Sequence, residues 1–86
     1  MFEASEIKRL IEAAIPGTTA IVIDDAGDRE HFSADVISPA FEGAPLVKQH
    51  QQVYRALGSR MGNEIHALAL KTWTPAAWSA QNVSRS

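Results

Sequence analysis

The sequence predicts a small α+β domain in the order α-β-β-α-β-α, with a three-stranded mixed sheet and helices laid on one face. Three observations carry that reading. Apolar residues recur at helical spacing near the start of the chain and again from 46 to 57. Segments 19–24, 31–38 and 65–72 alternate or are rich in β-branched residues, as strands are. The second helix separates the second and third of these strands, so it can serve as a right-handed crossover and let them run parallel.

Ser5 is the expected N-cap of the first helix, in which Ile7, Leu10, Ile11 and Ala14 recur at i, i+3, i+4 and i+7. Pro16-Gly17 ends it. Between the first two strands, Asp25-Ala26-Gly27-Asp28-Arg29-Glu30 supplies turn residues and makes an antiparallel hairpin. Its loop is longer and more polar than a two-residue turn requires, and binding residues concentrate in such loops. Pro39 stops the second strand, and residues 41–45 form a short bridge to a helix over about 46–60.

On that helix Leu46, Val53 and Leu57 share a stripe with His50, while Lys48, Gln52, Arg55 and Ser59 lie on or near the wet side. Alternation from 65 to 72 sets His66, Leu68 and Leu70 on one face and Ile65, Ala67 and Ala69 on the other. Thr74 fits an N-cap and Pro75 a first helical position, where a missing N–H costs nothing. Residues 83–86 are expected to form a flexible tail.

Eighty-six residues suffice for one domain. With 45% apolar and 21% charged residues, the chain has the composition of a globular protein rather than a disordered one. Its net charge of −2 lacks the basic footprint of a protein that neutralises many phosphates. There is no cysteine, which excludes a disulfide framework, a zinc ribbon and a thiol nucleophile; thiolates for any soft metal must come from a partner. The first residues are acidic where a targeting peptide would be basic, and no apolar run approaches the ~18 residues of a membrane span, so a cytoplasmic location is expected. An enzyme is not expected: there is no glycine-rich phosphate loop, serine-centred elbow or HExxH motif.

His66, on its rigid strand, is either a packed, hydrogen-bonded histidine or a metal ligand. His31 is either a half-exposed residue at the loop exit or a second ligand, and Asp28 is an alternative oxygen donor. His50 reads as a packing residue. Lys48 and Arg55 on the helix, with Lys71 on the third strand, are solvated charges available to a partner. Trp73, Trp78, Tyr54 and Phe41 read as core and rim packing rather than a base-stacking platform.

Phe41-Glu42-Gly43, the 46–57 helix and the run from Ile65 to Trp78 together resemble the BolA family in order along nearly the whole chain. The resemblance implies a mixed sheet similar to that of class II KH domains. It also implies that His66 ligates a [2Fe-2S] cluster shared with a monothiol glutaredoxin, whose cysteine and bound glutathione hold the other iron. The family draws its second ligand, a histidine or cysteine, from the hairpin loop, often a few residues before the position of His31. Asp28 and Arg29 stand there in this chain, so His31 takes the role and Asp28 is the runner-up. Two imidazoles leave an iron less electron-rich than thiolates do and raise its reduction potential.

The family has also been linked to transcriptional control, which makes a KH-like nucleic-acid-binding regulator the alternative. KH domains clamp the backbone with a Gly-x-x-Gly loop, which this chain lacks, and Gln49 and Gln51 flank His50 where many family members carry arginines. Nucleic-acid binding is therefore expected to be weak. An interaction module without metal is the third reading.

Overall fold

Helix α1 (Ala4–Ala14) opens the described part of the computed structural model, which comprises residues 2–85 with side chains through Gln81. Ile7 and Ile11 are fully buried and Leu10 packs beside them, because their spacing puts all three on one stripe. Two expectations shift at its ends. Ser5 lies inside the first turn, and extended Glu3 is the N-cap, its carbonyl accepting from the amides of Glu6 and Ile7. Ala14 is exposed; the helix stops there, and extended Ile15 turns its side chain into the core instead.

Strands β1 (Thr19–Asp24) and β2 (His31–Ile37) pair antiparallel, and β3 (Ala67–Trp73) joins β2 in parallel, giving the order β1-β2-β3. Ala20, Phe32, Ala34 and Val36 point to the core face, with Val22, Leu68 and Leu70 packed against them. Ile21, Ile23, Ala67, Ala69 and Lys71 point outward and are exposed or, for Ile21, nearly half so. Side chains also fasten α1 to the outer edge of β1. Lys8 Nζ donates to the Ala20 carbonyl at 2.8 Å, and Glu12 Oε2 accepts the Ala20 N–H at 2.9 Å.

Ser38, expected as the last residue of β2, instead caps a short 3₁₀ turn, Pro39–Phe41. Its buried hydroxyl oxygen accepts from Thr18 Oγ1 at 2.8 Å and from the Ala40 amide at 3.1 Å, so burial leaves no orphaned group. Helix α2 (Leu46–Leu57) follows the bridge and buries Val53 and Leu57 completely. It ends earlier than the spacing suggests because Gly58, at φ +60°, breaks into a 3₁₀ turn over Gly58–Arg60. Leu46 shares the predicted stripe but is 62% exposed, since its first-turn position overhangs the end of the core. Gln49 ties this helix to its surroundings: Nε2 donates to the carbonyl of Ala44 at 2.8 Å, and Oε1 accepts from Thr72 Oγ1 at 2.6 Å.

The largest correction falls on the third strand. It begins at Ala67, not Ile65, and Ile65 is fully buried while Ala67 and Ala69 are exposed. The cause is the turn before it. Ile65 donates to the Arg60 carbonyl at 2.9 Å and accepts from the Gly62 amide at 2.8 Å, so residues 60–65 close on themselves and press Ile65 inward. His66 therefore stands just before the strand and is exposed, rather than lying on it beside Leu68 and Leu70.

Helix α3 (Pro75–Arg85) starts as predicted, with Thr74 Oγ1 accepting from the Ala77 amide at 3.2 Å. Trp78 meets Trp73 edge-on at 5.4 Å between centroids, and Trp73 Nε1 donates to Asp35 Oδ1 at 2.9 Å, anchoring the helix start to the sheet. The tail expected over 83–86 falls at the boundary of description: α3 runs to Arg85, and Ser86 lies outside the described residues.

Candidate metal-binding site

The hairpin loop is organised by two aspartates. Asp24 accepts the Arg29 N–H at 3.0 Å, holding Arg29 at φ +61°, and Gly27 takes φ +67° without steric cost. Asp28 Oδ1 accepts the amides of Glu30 at 2.9 Å and His31 at 3.1 Å, the local ring that aspartate side chains favour in turns. Its other oxygen, Oδ2, lies 2.8 Å from His31 Nδ1.

This network sets the charges of both residues. The Glu30 amide, the His31 ring and the His31 amide hold the Asp28 carboxyl at a pKa of about 2. The same Asp28 carboxylate raises the pKa of His31 above its ordinary value. Placing the ring proton on Nδ1 leaves Nε2 of a neutral His31 as the atom with a lone pair. The His31 side chain is more than half exposed.

His66 reaches the same region from the position just before the neighbouring strand. Parallel register sets His31 beside Ala67, and the Ala67 amide donates to the Glu30 carbonyl at 3.1 Å. The backbone of His66 is thus held on one side by buried Ile65 and on the other by this ladder bond. Its side chain is 60% exposed, with Nε2 3.8 Å from Glu30 Oε1.

The two histidines predicted as ligands therefore share one end of the sheet, His31 at the start of β2 and His66 just before β3, each beside a different carboxylate. Among the described residues, no group of three or more His, Cys, Asp or Glu could hold a metal ion by itself. Asp28, the alternative donor, already spends both oxygens within its own turn. There it orients the His31 ring through Oδ2. Glu30 was not singled out from sequence; the parallel register that brings it to His66 is a nonlocal property, although its place directly before His31 is the available signal.

The three cations expected to serve a partner are not brought together. Lys48 and Arg55 are exposed on α2, Arg55 lining a hollow with Ile15, Pro16 and Ala40, whereas Lys71 borders a groove with Leu46 and Leu70. His50 lies edge-on to Tyr54 and is half-buried. No helix among the described residues is long and apolar enough to cross a membrane.

A family model described as BolA-like protein matches residues 11–77. The DNA-binding transcriptional regulator BolA of Haemophilus influenzae is 35% identical over 69 residues, covering 80% of this chain and 67% of that protein. BolA-like protein 1 of Homo sapiens is 40% identical over 52 residues, 60% of this chain and 38% of that longer protein. Among solved structures, a BolA homologue from Coxiella burnetii superposes with a TM-score of 0.79 at 41% identity, covering 92% of this chain and 99% of that one.

Proposed function

Because the chain belongs to the BolA family, we propose that it is an adaptor that binds a monothiol glutaredoxin and shares a [2Fe-2S] cluster with it, for iron–sulfur cluster assembly, transfer or iron and redox regulation. The observation that carries this reading is the placement of His31 and His66, both exposed, at one end of adjacent parallel strands. The donor set fits a shared site: two imidazoles, no cysteine in the chain and no self-sufficient metal cluster among the described residues. A partner must then supply thiolates, here the glutaredoxin cysteine and its glutathione.

In this reading His66 is the principal ligand and His31 the second, through Nε2, while Asp28 fixes the His31 ring and its proton. When bound, the cluster supplies the transferable iron and sulfide and the redox couple. The chain contributes a pair of exposed nitrogen donors on a rim that a second protein can cover.

Co-expression with a monothiol glutaredoxin tests this. The purified complex should show visible charge-transfer absorption, and His66→Ala should change those bands while far-ultraviolet circular dichroism stays native. Colourless complex, or bands unaltered by His66→Ala, overturns it. The relatives named DNA-binding transcriptional regulators favour a second reading, a nucleic-acid-binding regulator. Against it stand the net charge of −2 and the missing Gly-x-x-Gly loop.

A further inference from the structure

The two edges of the sheet are treated differently by the rest of the chain. On β1, the outward N–H and C=O of Ala20 are taken by Glu12 and Lys8. On β3, the Ala67 amide and the Trp73 carbonyl both bond toward the β2 side, to Glu30 and Ser38. In a parallel ladder residues of that parity spend both groups on the neighbour, so the N–H and C=O of Leu68, Leu70 and Thr72 face away from the sheet. Among the described residues nothing bonds them.

A shallow groove runs beside that open edge, lined by Leu46, His50, Leu70, Lys71, Thr72 and Trp73. Leu46, on the α2 side of this groove, and Val47 and Tyr54 elsewhere on the same helix are three of the five large apolar side chains exposed among the described residues. Lys71 is exposed on the outer face of β3 and forms no ion pair among the described residues.

We propose that this edge and groove bind an extended segment of a partner protein, which adds a fourth strand beside β3 and alternates apolar with acidic side chains. Alternation follows from the pleat. Side chains on the helix side meet Leu46, His50 and Leu70, and those on the outer side meet Lys71, where a carboxylate is the complement. A second copy of the chain is the poorer occupant. Symmetric antiparallel pairing about Leu70 or Lys71 sets the two Lys71 side chains diagonal or opposite, and an edge lysine is a device that discourages such self-pairing. A nucleic-acid strand would need more positive charge than the single lysine lining this groove. The groove lining begins at Leu70, four residues or about 13 Å along the chain from His66, and the peptide probes carry no metal, so the test does not depend on the metal reading.

Amide hydrogen exchange of the full chain tests the proposal. The probes are a nine-residue peptide alternating valine with glutamate, a valine–lysine counterpart, and polyuridine RNA. The acidic peptide should slow exchange at Leu68, Leu70 and Thr72 by about tenfold or more, and the lysine peptide should not. Methylating alternate peptide nitrogens should abolish the effect. Lys71→Glu should reverse the preference between the two peptides, and the neutral Lys71→Gln should weaken the acidic peptide alone. Unchanged exchange at those three amides overturns the proposal. So does tighter binding of the RNA at the same residues, protection that appears with protein concentration in the absence of peptide, or a peptide preference indifferent to both Lys71 variants.

Discussion

His31 and Asp28 show how one turn sets both the direction and the charge of a ring. Imidazole resonances should give His31 a titration midpoint above the ordinary value of about 6.5, and Asp28→Asn should lower it toward that value. A midpoint unmoved by the substitution would remove Asp28 as the cause. The signs differ between the partners. The raised His31 pKa contributes stability that is fully present below about 6.5 and lost as pH rises through the folded value. Asp28, depressed to about 2, contributes stability that is present above its ordinary range and lost as pH falls through about 2. Because a protonated imidazole cannot ligate, any cluster that uses His31 should begin to loosen at a higher pH than an ordinary histidine would set. The aspartate three residues before the histidine was visible in the sequence. Its part as an orienter was not, because a donor and an orienter look alike until the turn closes both carboxylate oxygens onto local partners.

Among the elements, α2 and β3 carry the packing that presents these residues. Urea unfolding should show Leu57→Ala costing about 2–5 kcal/mol and Val53→Ala about 1–3 kcal/mol, since both are fully buried. Leu70→Ala should cost less, about 1–2 kcal/mol, because that side chain is half-buried at the groove. Equal losses at Leu57 and Leu70 would contradict this facing. Gln49→Ala removes a hydroxyl bond to β3 and amide bonds to the preceding bridge, and should cost about 1–2 kcal/mol. The apolar spacing of α2 was legible and correctly located Val53 and Leu57. The exposure of Leu46 was not, because periodicity gives a direction around the helix and not where the core ends along its axis.

At the scale of the whole molecule, Ile65 and His66 are adjacent residues with opposite tasks. Ile65→Ala should destabilise by about 2–5 kcal/mol, whereas His66→Ala should leave the thermal midpoint near wild type and act on the cluster. A large loss of stability in His66→Ala would return that residue to a packing role. DNA or RNA binding by a chain of net charge −2 should be weak and steeply salt-dependent, and a sequence-specific Kd near ~10⁻⁸ M at physiological salt would contradict this.

The sequence by itself determined the order of elements, the α+β class and the histidines worth testing, because helix and strand periods, capping residues and turn chemistry act over a few neighbouring positions. Tertiary structure decided that Ile65 turns inward and His66 outward, that Glu30 meets His66, and that β3 keeps an open edge while α1 closes that of β1 at Ala20. Each of these depends on register and packing between segments distant in the chain, and no local pattern encodes which of two alternating faces a neighbouring element will cover.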